Sequence, residues 1–360
     1  MPTVAHYLER WLELSAGFVA AQLDHSRYDG VVISRDGWSC LDAFPYQPRH
    51  TLHRLRDRTP RQWKADVLRW QLRRLMTTTR ADLVHVHFGY AASDVLSVTG
   101  PDRPYVLSLH GHDVTGLIAD QPDRYATVAP AVGQVIVPSR FLAAKAAAAG
   151  FDQSRIAVIP SGVDTGYFTP TQLPGGPPVV TFIGRLVEKK GLDVLLAAWP
   201  KVIDEVADAR LVVLGDGPTA HLLAAAPSSV THLLPQSAAR HEQVRAVIRE
   251  ATLVVSPSRT ATDGDSESLL LVNLEAGASG RPVVSTHHGG IPEYVVDNTT
   301  GVLVPENDAT ALAAAVVRLL TDRDEAQRLA TAAVDHVAQW EVSRCASQVD
   351  DCYDELLSRK

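Results

Sequence analysis

Cysteine and methionine are scarce, three and two in 360 residues. The three cysteines, Cys40, Cys345 and Cys352, are odd in number and lack metal-ligand spacing. Were Cys345 and Cys352 on one helix, about 10 Å of axial rise would part them, beyond the ~7 Å that a disulfide spans between Cα atoms. A disulfide-stapled scaffold is therefore excluded, and a reducing compartment is expected. No apolar run nears about 20 residues, and no N-terminal stretch joins basic residues to a long apolar core. The expected location is cytoplasmic, with peripheral contact at the inner face of a membrane as a further reading. Basic charge is also in short supply: 34 Lys and Arg against 41 Asp and Glu give a net charge of −7. That balance gives no global attraction to nucleic acid, and no nucleic-acid partner is expected.

One local excess runs against the total. Ten basic residues lie between Arg49 and Arg80, with only Asp57 and Asp66 opposing them. Arg54, Arg56, Arg58, Arg61, Lys64, Arg69, Arg73 and Arg74 are interleaved with apolar residues such as Trp63, Leu68, Trp70 and Leu72. After Pro60 the pattern reads as a helix. It fits either weak peripheral contact of 49–80 with an anionic membrane or an ordinary helix whose arginines cover a domain surface.

What is present is an α/β alternation. Strands are expected at Gly30–Ser34, Leu83–His87, Tyr105–Leu109, Val135–Val137 and Ile156–Ile159. A second series follows at Val179–Ile183, Leu211–Leu214, Thr231–Leu234, Leu253–Ser256, Pro282–Ser285 and Gly301–Val304. Helix-length segments between them include Arg140–Ala149, Gly191–Val206, Gln243–Ala251 and Ala309–Thr321. Such alternation over this length gives two parallel-sheet domains. The stretch Asp164–Pro178, with four prolines and three glycines, reads as the break between them.

Parallel sheets bind ligands beyond the carboxyl ends of their strands, and three constellations fall there. In the first, Gly184 permits a tight strand exit, and Arg185 and Lys190 flank a helix start fit for a diphosphate. Lys189 between them reads as a bystander. In the second, Glu267 and Glu275 stand eight residues apart around Ser268, Leu269 and Leu270. Glu267 is placed in the loop, where backbone N–H groups face a sugar or phosphate, and Glu275 in the following helix, fit for ribose hydroxyls. The third is Leu109-His110-Gly111-His112-Asp113, beside His85-Val86-His87 on a neighbouring strand. His110 is the candidate for contacting a reacting sugar; His85 and His112 read as core or lining residues. Converging His-x-His pairs would also suit zinc, and Asp263-Gly264-Asp265 a divalent metal. Without a fourth-ligand pattern, and with cations already at the phosphate position, no metal site is expected. Gly215-Asp216-Gly217-Pro218 is a strand exit and not a dinucleotide fingerprint.

Together these residues resemble glycosyltransferase family 4, of the GT-B fold. Ile156–Asp164 is similar to the stretch before that family's linker, Gly184-Arg185 with Lys190-Gly191 to its phosphate loop, Glu267 through Glu275 to its E-x7-E signature, and His110–Asp113 to its N-domain motif. Asp263–Glu267, Ser285–Glu293, His85–Gly89 and Leu14–Val19 resemble the colanic-acid and exopolysaccharide branch, although Ser268 stands where that branch usually has glycine.

The resemblance implies two Rossmann-like domains facing each other across a cleft. An acceptor-side domain would span 1–165, with a helix at about 340–360 packing back onto it, and a nucleotide-sugar domain 166–339. It implies retaining, metal-independent transfer from a UDP- or GDP-sugar to a hydroxyl of a glycan, a lipid-linked acceptor or a small molecule. His110, Arg185, Lys190 and Glu267 would be catalytic. Gly184, Arg185, Lys190, Glu267, Ser268, Leu269, Leu270 and Glu275 would bind the donor. A nucleotide-sugar epimerase, a pseudo-glycosyltransferase of the same fold and an inactive donor-binding homologue are the alternatives.

Overall fold

The computed structural model describes residues 1–10, 17–36, 49–52, 61–99, 103–236 and 240–359. The chain divides into two units, Met1–Ser161 with Val342–Lys360, and Gly162–Glu341. Each is built on one parallel sheet.

In the first unit seven strands stand in the order β3-β2-β1-β4-β5-β6-β7. They are β1 (Thr3–Arg10), β2 (Asp29–Asp36), β3 (Arg49–Thr51), β4 (Leu83–His87), β5 (Tyr105–Ser108), β6 (Gln134–Val137) and β7 (Ile156–Val158). Between them run α1 (Gly17–His25), α2 (Arg61–Thr78), α3 (Ala92–Thr99), α4 (Gly116–Asp120) and α5 (Arg140–Ala148). Neither β1 nor β3 was expected from the sequence. His6 and Tyr7 interrupt the apolar run of β1, yet both are buried at the sheet centre, where a strand is covered on both faces. The three-residue β3 is too short to show a period.

The second unit has six strands in the order β10-β9-β8-β11-β12-β13. These are β8 (Val179–Ile183), β9 (Arg210–Leu214), β10 (Val230–Leu233), β11 (Leu253–Ser256), β12 (Val283–Thr286) and β13 (Val302–Val304). Its helices are α6 (Leu192–Glu205), α7 (Arg240–Glu250), α8 (Leu271–Ala278), α9 (Ala309–Thr321) and α10 (Arg323–Val337). Helix α6 buries Leu192, Leu195, Trp199 and Val202, the i, i+3, i+7 spacing of one helical face. They share a core with Val180, Phe182 and Leu211 of the sheet. Burial of each such side chain contributes about 1.5–3 kcal/mol. Asp308 and Asp322 cap α9 and α10 by accepting from Ala311 N and Glu325 N.

The proline- and glycine-rich stretch lies inside this second unit, whose boundary precedes it at Gly162. Arg281 explains why. Its buried guanidinium donates to the Thr171 carbonyl at 2.8 Å and hydroxyl at 2.7 Å, and to the carbonyls of Ile248 and Arg249. Arg323 holds the Leu173 and Pro174 carbonyls at 2.7 and 3.0 Å. Side chains far along the sequence thus fix a segment whose composition reads as a linker.

After α10 the chain forms α11 (Val342–Ser358) in the first unit. Asp350 accepts from Ser26 Oγ at 2.6 Å and Arg27 N at 2.8 Å, and Tyr353 is fully buried against His85. Cys345 and Cys352 lie in α11, the first buried and the second half-buried; Cys40 lies outside the described residues. Among the described residues no helix is long and apolar enough to cross a membrane.

In both sheets the strand order reverses once, between β1 and β4 and between β8 and β11. Loops leaving the carboxyl ends of such strand pairs diverge to opposite faces and open a crevice, where ligands bind.

Candidate active site

Beyond β8, Gly184 N–H donates to Leu214 O at 3.0 Å, and Leu186 N–H to Asp216 O at 2.8 Å. Arg185 is left exposed between them. A short turn then carries Glu188, Lys189 and Lys190 to Gly191, which is left-handed with φ 68°. A Cβ at Gly191 would lie 1.9 Å from the Pro257 carbonyl, so only glycine lets this turn lie against the exit of β11.

The loop after β11 lays its carboxylates on those lysines. Glu267 Oε1 is 2.9 Å from Lys190 Nζ and 3.7 Å from Lys189 Nζ. Asp265 Oδ2 is 3.0 Å from Lys189 Nζ. Burial alone would raise the Glu267 pKa, but Lys190 and then Lys189 outweigh it and hold it down to about 2. Burial lowers the Lys190 pKa, with Lys189 and Arg185 adding to the fall and Glu267 opposing it. The result is a cluster of two cations and two anions at the strand-order reversal, with Lys189 and Glu267 buried and Lys190 and Asp265 partly exposed. Lys189 is a correction to the sequence reading: it is 6% exposed and a member of the cluster. Asp265, half of the Asp-x-Asp sequence, is engaged by Lys189, and Asp263 Oδ1 accepts from Asp265 N at 2.9 Å.

The Glu267 backbone is fixed from behind. Its N–H donates to His288 Nε2 at 3.0 Å and its carbonyl accepts from Gly290 N at 3.1 Å. His288 therefore carries its proton on Nδ1, which donates to Glu306 Oε1 at 2.8 Å. Glu306 also accepts from Thr260 N at 2.7 Å. Burial pushes its pKa up, but the Thr260 and His288 hydrogen bonds prevail and lower it. Gly289, at φ 53°, lets the chain pass so close that a Cβ would sit 2.0 Å from the Glu267 carbonyl. His288 and Glu306 were not assigned roles from the sequence. His288 stood within a quoted motif, whereas Glu306 carried no signal. Replacing His288 by phenylalanine strands the buried Glu267 N–H, and the expected loss is about 1–3 kcal/mol of unfolding free energy. Urea denaturation measures it; an unchanged midpoint would count against this support.

Ser268 and Leu270 are buried in the same loop, with Leu269 half-buried. Leu270 precedes α8, which starts without a side-chain cap, leaving its first amides to other acceptors. Glu275 is half-buried within α8. On that helix Asn273 accepts from Ser256 Oγ at 2.7 Å, tying α8 to the end of β11.

His110 belongs to the first unit, just beyond β5. Its ring lies against Phe18 and Phe88, with centroids 4.8 and 4.5 Å away, and burial lowers its pKa to about 3. The buried Asp113 carboxylate organises the loop, accepting from Gly89 N, His110 N and Gly111 N at 2.8–3.1 Å. A shallow hollow is lined here by residues including His110, Ser108, Pro138, Ser161 and Val349. His112, read as a core or lining residue, is exposed instead.

The buried histidine group that forms is His6 with His85 and His87, whose ligating atoms lie within 4.8 Å of one another. His85 bonds Tyr353 Oη at 2.6 Å and Ser108 Oγ at 2.7 Å, and His6 bonds His87 at 3.1 Å. Burial lowers the pKa of all three, so the rings are neutral and hydrogen-bonded within the core.

Two doubly wound parallel sheets, the second with a basic and acidic crevice, define a class, and comparison with known proteins identifies it. Residues 16–167 match the family described as Glycosyltransferase Family 4, and 177–322 that described as Glycosyl transferases group 1. A GDP-mannose-dependent alpha-(1-6)-phosphatidylinositol monomannoside mannosyltransferase of Mycobacterium tuberculosis is 29% identical over 93% of this chain and 92% of its own. The Mycolicibacterium smegmatis protein of the same description is 32% identical over 70% of this chain and 71% of its own. A putative colanic acid biosynthesis glycosyltransferase of Salmonella typhimurium is 34% identical over 72% and 66%. In solved structures, a Rickettsia africae glycosyltransferase superposes with a TM-score of 0.80 at 18% identity, covering 100% of this chain and 99% of its own. The Anabaena HepE protein in complex with UDP and glucose gives 0.80 at 17%, covering 98% and 99%. The fold is GT-B, and the protein is a glycosyltransferase that uses a nucleotide-sugar donor. The chain belongs to glycosyltransferase family 4.

Proposed function

We propose that the protein transfers a sugar from a GDP- or UDP-linked donor to an acceptor hydroxyl, with retention of anomeric configuration and without a divalent metal. The observation that carries this reading is the ion-paired group of Lys189, Lys190, Asp265 and Glu267 beyond β8 and β11. Cations held ready where a diphosphate departs stabilise the charge as it forms, with no reorganisation at that moment. Arg185 and Lys190 clamp the diphosphate; Arg185 is exposed and its planar fork suits a pair of phosphate oxygens. Gly184 brings backbone close to that group, and the Ser268–Leu270 amides add neutral donors. Glu267 accepts sugar hydroxyls and Glu275 the ribose hydroxyls. His110, neutral and wedged between aromatic rings, donates to the sugar. The leaving phosphate takes the proton of the incoming hydroxyl on the face it vacates, which accounts for retention without a nucleophile from the protein.

The M. tuberculosis relative is GDP-mannose-dependent and matches almost the whole chain, so GDP-mannose is the first donor to test. That relative acts on a phosphatidylinositol glycolipid, which favours a lipid-linked acceptor over a soluble one. The expected result is product formation that persists in EDTA, with proton NMR of the anomeric centre matching the donor. Activity abolished by EDTA and rescued by magnesium, or an inverted product, overturns the mechanism. Glu275→Ala is expected to weaken bare nucleoside diphosphate and nucleotide sugar alike, as read by calorimetry. Donor conversion with no acceptor would instead assign an epimerase.

A further inference from the structure

Three histidines share one face of the first sheet, and strand geometry brings them there. His85 and His87 are two residues apart on β4, so their rings stand on the same side of the sheet. Strand β1 runs beside β4 with His6 in register with His85. The ring centroids of His85 and His87 are 4.1 Å apart, and His6 lies 5.4 Å from each. One ring nitrogen from each residue lies within 4.8 Å of the other two. All three are at most 1% exposed, on central strands where aliphatic side chains ordinarily fill both faces. His112 does not join them, being exposed; the third imidazole comes instead from β1.

Hydrogen bonds among protein groups do not by themselves account for the trio. His85 meets the Tyr353 hydroxyl at Nδ1 and the Ser108 hydroxyl at Nε2. His6 Nδ1 and His87 Nε2 meet at 3.1 Å, but His87 Nδ1 is buried with no partner. A buried nitrogen in that condition loses its hydration uncompensated, and bonds from imidazole to a metal offset the cost of burying such rings.

We propose that His6, His85 and His87 form a site for one divalent transition-metal ion that favours imidazole, zinc above all. Two nitrogens bound to a tetrahedral zinc at about 2.0–2.1 Å stand about 3.3 Å apart, close to the 3.1 Å between His6 and His87. Either nitrogen of His85 can turn to the ion, and the hydroxyl left on the other then fixes the ring, as outer partners do at histidine-ligated metals. A fourth position falls to the buried Tyr353 hydroxyl or to water. The ion ties β1 to β4 beneath α11. It also steadies His87, whose ring lies parallel to that of His110 with centroids 6.0 Å apart. Its role is in the fold and not in the transfer step. Magnesium prefers oxygen ligands and does not suit this site, so rescue by magnesium remains a test of the transfer alone.

The experiment uses the full chain without a polyhistidine tag, stripped of metal and titrated with zinc. After gel filtration, elemental analysis is expected to find about one zinc per chain, with a raised melting temperature. X-ray absorption at the zinc edge is expected to show three imidazole ligands at about 2.0–2.1 Å. Cobalt(II) in its place is expected to give the intense visible absorption of a four-coordinate ion. His6→Gln is expected to weaken zinc binding at least about 100-fold, more than the loss of an outer partner costs, while His112→Gln binds as the wild type does. Should His6→Gln fail to fold, the ligand shell of the wild type decides alone. No retained zinc, a thiolate or all-oxygen shell, or undiminished binding by a folded His6→Gln overturns the proposal. Affinity lost in His112→Gln moves the ion to the loop after β5 and overturns it as well. None of these readouts involves the sugar donor, so their failure leaves the transferase reading intact.

Discussion

Replacing Lys190 by alanine is expected to lower kcat/KM by about 10²–10³-fold, with most of the loss in kcat. Removal of one preorganised donor from a developing anion has costs of that size, and the loss falls on kcat when the contact strengthens as charge forms. Lys190 meets the requirements for such a donor. Its ammonium is buried on the Glu267 carboxylate at 2.9 Å, on a turn fixed by Gly191. Burial first, then the nearby Lys189 and Arg185, pull its pKa down. A departing diphosphate would relieve that tension as its charge grows. Arg185→Ala is expected to act in the same direction with a larger share in KM, because its exposed guanidinium must be ordered by the donor. Lys189→Ala is expected to fall between a neutral control and these two. It frees Asp265 and weakens the hold on Glu267, so donor affinity drops and the fold loosens. Steady-state kinetics on all three variants, with melting temperatures alongside, checks the ranking. Near-wild-type turnover of Lys190→Ala in a folded protein would remove Lys190 from the chemistry.

How far the sequence carried depends on where each interaction partner sits along it. Helix α9 was placed at its observed limits, and Gly184, Arg185, Lys190 and Glu267 were placed at strand exits, because strand period, glycine and local charge are short-range signals. Lys189 was misread because its neighbours in sequence, Glu188 and Lys190, say nothing of Asp265 and Glu267, some seventy-five residues away. The prop beneath Glu267 runs through His288 to Glu306, two residues on separate loops with no shared periodicity. The polar interior of β1 was illegible for the same reason. His6 is tolerated there only because His87 stands on the neighbouring strand β4. Arg281 and Arg323 likewise secure a segment that looks like a linker until its carbonyl partners are seen. Long-range polar pairing, invisible to local pattern, separates what was read from what was missed.

Replacing Glu267 by glutamine is expected to cost about 3 kcal/mol of stability near neutral pH and to lower kcat/KM by at least about 10²-fold. Two routes give a similar figure for stability. Removing one partner of a buried ion pair costs about 3–5 kcal/mol, and the low end applies because Lys189 keeps Asp265. A carboxyl held down to about 2, from an ordinary value of 4.5, corresponds to about 3 kcal/mol as well. The direction with pH follows from the lowered pKa. The contribution is complete above about 4.5, shrinks as pH falls through the interval below it, and is absent below about 2. Urea denaturation should therefore give a constant gap between wild type and Glu267→Gln from pH 7 to pH 5, and a narrowing gap below that. A gap that stays constant as pH falls well below 4.5 would mean that the carboxylate charge is not what stabilises the cluster. Binding carries the second half of the test. If Glu267 holds the donor's sugar, calorimetry will show a larger loss for nucleotide sugar than for bare nucleoside diphosphate, while Glu275→Ala weakens both equally. The reverse order would assign the ribose to Glu267 and the sugar to Glu275, leaving the phosphate clamp where it is.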